Sequence, residues 1–453
     1  MSNSRGDQSR PTLWSRARAM AEKAPPERNR YVDFLRALSI LAVVVGHWLV
    51  AAPYIRDGAV TGGHLLGIIP WTQWLTLGFQ VMPLFFLVGG FSNAMSWSAN
   101  RRDGGTYAEW FTGRMQRLVN PVLPLFLVWT LFALTGTALG VARPIVEMAC
   151  QLALIPVWFL AVYLMIAAVV PFSHALWQRL GLGSFVLFVA GSIAIDVATL
   201  SFGVPYINFL NFAFVWLAIH QLGYAWQSGH FSSPVKAALW AIGGATALTA
   251  LIYYGPYPIA MIGVPGEPLS NSMPPTLALL ALGITQTGLA LALEPLGRAM
   301  LGRIGAWTAT VLVNGMIMTI YLWHLTAFVL VMVAAWLAGG IGLHAAPGSS
   351  EWWLARPVWF LLYIAALIPL ILAFARFERP SPSLSGEADD RPLPLWRLVT
   401  GLLLICIGLG TTAAFSIASP EGVTGVRLWI VALPFVGAAL IRFGPAYTLA
   451  KKV

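Results

Sequence analysis

Twelve apolar stretches, most of them long enough to cross a bilayer, follow one another along the chain. They cover about 32–52, 74–98, 118–140, 148–172, 183–203, 206–225, 237–254, 275–293, 306–337, 357–375, 398–417 and 428–446. A helix needs about 20 apolar residues to span the hydrocarbon core. A transmembrane barrel would show alternating strands of about ten residues instead. Charged residues make up only 10% of the chain and hydrophobic ones 58%, too little charge for a soluble domain of this size. The fold class expected is therefore all-α, a polytopic transmembrane helical bundle of about 12 spans: a ten-helix core plus two C-terminal helices. The ninth run is long enough to be tilted or broken. The fourth contains Pro156, a kink that packing against protein would tolerate.

The net charge of +10 is an orientation signal. With the N-terminus inside, most of the 27 basic residues fall on the cytoplasmic side, and only Arg56, Arg143, Arg356 and Arg427 fall outside. That asymmetry follows the positive-inside rule and needs no nucleic acid, since no separate basic domain exists to bind one. The expected location is the cell (inner or plasma) membrane, multi-pass, with both termini cytoplasmic and the lipid bilayer as the first partner. Residues 1–30 read as a disordered basic cytoplasmic arm able to touch anionic lipid. Residues 31–375 read as the ten-helix membrane domain, 376–397 as a Pro- and Ser-rich cytoplasmic linker, and 398–453 as a two-helix appendage.

Cys150 and Cys406 show no ligand spacing, and no metal site is expected. HExxH, Walker A and GxSxG motifs are absent. The glycines of 181–191 read as helix packing within a span.

The chemistry of such a chain lies in the polar residues that interrupt its spans. Arg36 and His47 stand eleven positions apart in the first span. Eleven steps come to about three full turns, so the two share one face about 16 Å apart along the axis, with Ser39 and Val43 between them. Asp33, three residues before Arg36, can pair with it at the cytoplasmic edge. Taken singly, Arg36 could be an interfacial arginine that snorkels, and His47 a helix–helix hydrogen bond. Together they form a polar stripe running from the cytosol toward the far leaflet. Imidazole titrates near neutral pH and suits proton transfer; guanidinium binds phosphate or carboxylate. Arg114 and Arg117, spaced i, i+3 before the third span, read either as membrane anchors or as a clamp on a polyanion. His324, behind Tyr321 and Trp323 in the ninth run, reads first as a structural hydrogen bond. Asp196 is a weaker candidate for orienting a substrate hydroxyl. The remaining histidines fall in loops or near span ends and receive no role.

These residues resemble the acyltransferase 3 family of membrane O-acyltransferases. DFLRALSILAVVVGH (33–47) is similar to its opening Arg-to-His motif at Arg36 and His47. Arg114 and Arg117 match its Arg-x-x-Arg. PLFFLVGGFSN (83–93) looks like its FFxxSG segment, PVWFLAVYL (156–164, with Trp158) its WFL segment, and YLWH (321–324) its late Tyr-x-x-His. The order is right over about residues 30–375. Gly89 stands where the family's second-span motif has serine, and the last two spans exceed the usual ten. No esterase-like domain is fused, which suggests that the membrane unit acts alone or serves a separate extracytoplasmic partner enzyme. The resemblance implies acyl-CoA, acetyl-CoA by default, as a cytoplasmic donor. It implies a glycan or other hydroxyl-bearing acceptor reached from the far side. Arg36, Arg114 and Arg117 would bind the donor, and His47 would serve as base or acyl carrier beside Arg36. His324, Tyr321, Trp158, Asp33 and Asp196 are weaker substrate-binding candidates. The runner-up is a secondary transporter with an intramembrane His/Arg site, although no repeat relates the two halves.

Overall fold

A computed structural model describes residues 12–378, 393–420 and 424–442. Among these the chain is helical apart from a short hairpin, β1 (Tyr54–Arg56) against β2 (Ala59–Thr61). In order, the helices open with α1 (Leu13–Glu22), α2 (Arg30–Val50), the short α3 (Leu65–Ile68) and α4 (Thr76–Phe79), then α5 (Met82–Arg102), α6 (Tyr107–Val119) and α7 (Val122–Ala138). The middle of the chain forms α8 (Arg143–Leu154), α9 (Val157–Ala168), α10 (Val170–Leu180), α11 (Leu182–Leu200), α12 (Asn211–Gln227) and α13 (Pro234–Tyr254). The last third forms α14 (Leu277–Ala292), α15 (Glu294–Leu301), α16 (Ile304–Asn314), α17 (Ile317–Leu337), α18 (Ser350–Phe374), α19 (Leu395–Phe415) and α20 (Leu428–Arg442).

The fold is an all-α polytopic bundle, but the span count is lower than twelve. Among the described residues nine helices are long and apolar enough to cross a membrane, or ten if the bent pair α14–α15, with its 52° bend, is one span. The three expected spans that fall short are that bent pair, α12 with its 17 residues, and α20 with its 15. The ninth run is broken: the helix stops at Asn314, and α17 restarts after Gly315 and Met316. The fourth run breaks at Ile155–Pro156, between α8 and α9. Both breaks border the site described below.

The Arg-rich arm is more ordered than its composition suggests. The Thr12 side chain caps α1 by accepting from the Ser15 N–H. The small side chains of Ala17 and Ala21 are buried, letting α1 lie closely on α16, where Trp307 Nε1 donates to the Ala21 carbonyl at 3.1 Å. Arg5 and Arg10 lie outside the described residues, as does most of the linker, 379–392. The start of the linker is anchored. Glu378, in a 3-10 turn at the end of α18, accepts from the N–H groups of Met318 and Thr319 and from the Thr319 hydroxyl. A carboxylate at a helix N-terminus satisfies backbone donors left without intrahelical partners; here it fixes the start of α17.

The C-terminal pair α19–α20 packs against the bundle. Gln151 Nε2 of α8 donates to the Ala413 carbonyl at 2.7 Å, and Cys406 reaches the Ala161 carbonyl of α9.

Candidate active site

α2 carries Arg36 near its N-terminal end and His47 near its C-terminal end. Its start is set by Asn29, whose side chain accepts from the N–H groups of Tyr31 and Val32. α17 runs beside it and brings His324 against His47: His47 Nδ1 and His324 Nε2 are 2.9 Å apart, with the rings stacked at 5.1 Å. His324 is fully buried. Its other nitrogen, Nδ1, lies 2.6 Å from the Tyr321 carbonyl oxygen. A carbonyl only accepts, so His324 Nδ1 carries the proton. In the neutral ring its Nε2 is then an acceptor, and His47 Nδ1 must donate to it. That leaves the Nε2 lone pair of His47 unspent. A backbone carbonyl thus fixes two tautomers in series.

The surroundings of the pair are rigid. Trp48 Nε1 donates to the His324 carbonyl at 3.0 Å. The Tyr321 hydroxyl donates to the Pro156 carbonyl at 2.6 Å, at the α8–α9 break. Trp129 Nε1 donates to Thr326 Oγ1 at 3.0 Å. Tyr321, proposed from sequence as a substrate contact, has its hydroxyl committed to the scaffold, although its ring lines the site.

His47 opens onto a cavity of about 450 Å3, lined among others by Gln80, Gln151, Trp158, Phe159 and Tyr321. Ala413 of α19 is part of its wall, so α19 reaches the site while α20 does not line it. Its lining is mostly apolar, as in small-molecule sites where a few polar groups fix orientation.

The cationic group gathers at the other end of α2. Arg36 donates to Ser92 Oγ at 2.9 Å and to Asp33 at 3.1 Å. Asp33 also accepts from Arg28 at 2.6 Å. Arg114 donates to Ser96 Oγ and lies 4.7 Å from the centre of the Trp110 ring, while Trp110 Nε1 donates to the same hydroxyl. Ser92 and Ser96 are one turn apart on α5 and hold the two guanidiniums along one helix face. Both Arg36 and Arg117 lie close enough to Arg114 to feel its charge, and Arg117 is exposed. Asp33, as the carboxylate among them, leaves positive charge in excess.

Between the two ends lies an aromatic septum. α5 runs antiparallel to α2, with Ser92 opposite Arg36 and Met82 sharing the cavity wall with His47. At the intermediate level Phe85 meets Phe159 and Tyr163 edge-on at 4.9 and 5.7 Å. Gly89 faces the same ring: a Cβ there would lie 3.0 Å from the Tyr163 ring edge. The departure from serine at this position is thus filled by a tyrosine from α9.

Asp196 stands apart from both ends. Its carboxylate accepts from Asn211 at 2.7 Å, the Tyr257 hydroxyl at 2.8 Å and the Leu277 N–H at 2.8 Å, and it does not line the cavity. Its partners tie α11 to the loop that leads into α14. Three participants escaped the sequence reading. Ser92 and Ser96 carried a signal in their i, i+4 spacing on the motif helix. His64 lines the cavity and carried none. Among the described residues no group of three or more His, Cys, Asp or Glu side chains could hold a metal ion.

No match was found among curated proteins or among solved structures. Residues 29–376, well over half of the chain, match the family model described as an acyltransferase domain, and within that match lie both the histidine pair and the arginine cluster. The chain belongs to the acyltransferase 3 family and is a multi-pass membrane acyltransferase.

Proposed function

We propose that the protein moves an acyl group, acetyl by default, from acyl-CoA on the cytoplasmic side to a hydroxyl of a glycan or other acceptor on the far side. The reading rests above all on one observation: His47, with its Nε2 lone pair left free by the His324–Tyr321 carbonyl chain, lines a cavity at one end of a helix whose other end carries the arginine cluster. The arginines Arg36, Arg114 and Arg117 would receive the phosphates of the donor through charge-assisted hydrogen bonds. Its thioester arm would pass Phe85 and Tyr163 to reach His47. There Nε2 takes the proton of the acceptor hydroxyl as its oxygen bonds to the thioester carbonyl carbon. The C–S bond breaks, and the proton returns from Nε2 to the departing thiolate. In a variant of this route His47 first carries the acyl group itself.

The family match replaces the transporter alternative. The purified protein, given radiolabelled acetyl-CoA, is expected to cleave the thioester, and His47→Ala and Arg117→Ala are expected to slow it. A wild type no faster than these variants overturns the reading. Sidedness is tested by thiol labelling of Arg102→Cys and Ser350→Cys in a cysteine-free background. The first should label from inside and the second from outside, and the reverse pattern contradicts the direction proposed.

A further inference from the structure

His64 shares the cavity with His47, although seventeen residues and a hairpin separate them. The first span ends at Val50, and the chain folds back through β1 and β2. Ala52 N–H donates to the Gly63 carbonyl at 2.9 Å, and Ala51 pairs with His64 in a β-bridge. A side chain on Gly63 would run into the Ala52 carbonyl oxygen, so this close return depends on glycine. Ile55 N–H donates to the Leu343 carbonyl at 2.8 Å and pins the hairpin to the loop after α17. Ala51 N–H in turn donates to the His47 carbonyl. Both histidines therefore hang from one backbone frame.

The polar groups of this cavity are unevenly spent. Thr72 and Thr76 donate to the carbonyls of Ile69 and Gln73. Gln80 and Gln151 donate to the carbonyls of Met261 and Ala413. His64 is different: neither ring nitrogen has a partner among the described residues, and Nδ1 is buried without one. An unmet buried polar atom is costly; Nδ1 is sealed off, so Nε2 is the nitrogen that a ligand in the cavity would meet. Burial holds the His64 imidazole below its ordinary range, so at neutral pH it offers one donor and one acceptor.

We propose that His64 binds a second hydroxyl of the acceptor while His47 deprotonates the first, so that the cavity selects a polyol or saccharide over a single alcohol. The inference rests on the acyl-transfer reading, in which a glycan is already an acceptor, and adds the residue that would recognise it. A hydroxyl both donates and accepts, as does neutral imidazole, and a site built to bond a hydroxyl discriminates strongly against a molecule lacking it.

The test uses the full-length protein in nanodiscs with radiolabelled acetyl-CoA and two acceptors, methyl α-glucopyranoside and 1-propanol. Wild type should transfer preferentially to the glucoside. His64→Ala should reduce that preference about tenfold, the scale of one lost hydrogen bond, through a raised glucoside KM. His64→Gln, which retains a donor and an acceptor, should restore most of it and guards against a misfolded alanine variant. A wild type that cleaves acetyl-CoA but shows no preference for the glucoside overturns this inference and leaves the acyl-transfer reading standing. So does a His64→Ala variant with the preference intact, or a His64→Gln variant no better than alanine. A wild type that cleaves no acetyl-CoA removes the underlying reading, and this inference with it.

Discussion

The two ends of α2 solve the problem of polar groups in a membrane in opposite ways. At the N-terminal end charge is crowded: Arg28 and Arg36 pair with Asp33, Arg114 and Arg117 lie nearby, and hydroxyls on α5 hold Arg36 and Arg114 in a row. At the C-terminal end no carboxylate is among the described residues that line the cavity. A neutral imidazole pair is satisfied by itself and by one backbone carbonyl, inside a largely apolar cavity. On the function proposed, the N-terminal end would hold a polyanion because its cations outnumber its anions. The C-terminal end would move a proton because one lone pair is left over after every other nitrogen of the pair has a partner. Phe85, Phe159 and Tyr163 keep the two apart.

This contrast predicts losses of different size and kind. At the C-terminal end His47→Ala should lower acyl transfer by about 10²- to 10⁴-fold, the usual weight of a general base. His324→Ala should cost less, because it frees the tautomer but leaves the base. Activity at either residue's wild-type level should also fall as pH falls and not as it rises. A proton on His324 Nε2 would turn that nitrogen into a donor and force the His47 proton onto Nε2, which removes the base. Single-turnover rates across a pH series check both statements.

At the arginine cluster the expected loss is in donor binding. Arg114→Ala removes a charge-assisted hydrogen bond worth about 1.5–3 kcal/mol. Donor KM should therefore rise about ten- to a hundredfold with kcat less affected. Arg114→Lys should rescue little, since an ammonium lacks the planar fork. A kcat loss without a KM change would place Arg114 in the chemistry and blur the contrast.

At the septum the effect is smaller and steric. Gly89→Ser sets a side chain against the Tyr163 ring. Overpacking of this kind costs about 1–3 kcal/mol, visible as a lowered Tm. Tyr163→Ala should relieve it, so the double variant should be more stable than the sum of the single changes allows. The smallest effect on turnover is expected far from α2. Asp196→Asn weakens a buried carboxylate bonded to three donors. It should lower thermal stability while changing the transfer rate less than any variant above.

The sequence carried the fold class well. Apolar run length follows directly from the bilayer, and the eleven-residue interval from Arg36 to His47 sets their common face. Less legible was whatever depends on a helix breaking. The partner of His47 comes from α17, whose register is set by the stop at Asn314 and by Glu378, more than fifty residues further along. A hydropathy run cannot place that stop, so 306–337 read as a span that could be tilted or broken, and His324 as a structural hydrogen bond with no partner named. The same limit explains the short α12, whose apolar run begins before its helix does. Asp196 read as a candidate because a carboxylate in a span is conspicuous; its three donors lie on segments 15 or more residues away. His64 was silent because a hairpin, not a helical period, returns it to the cavity.

The order of protons along the histidine chain is the central claim, and nitrogen NMR reads it directly. The full-length protein, labelled with 15N-histidine in nanodiscs at neutral pH, is compared with His47→Gln and His324→Gln variants for assignment. The account predicts that both His47 and His324 carry their proton on Nδ1 and none on Nε2. A His47 protonated on Nε2 would have no lone pair facing the cavity and would contradict it.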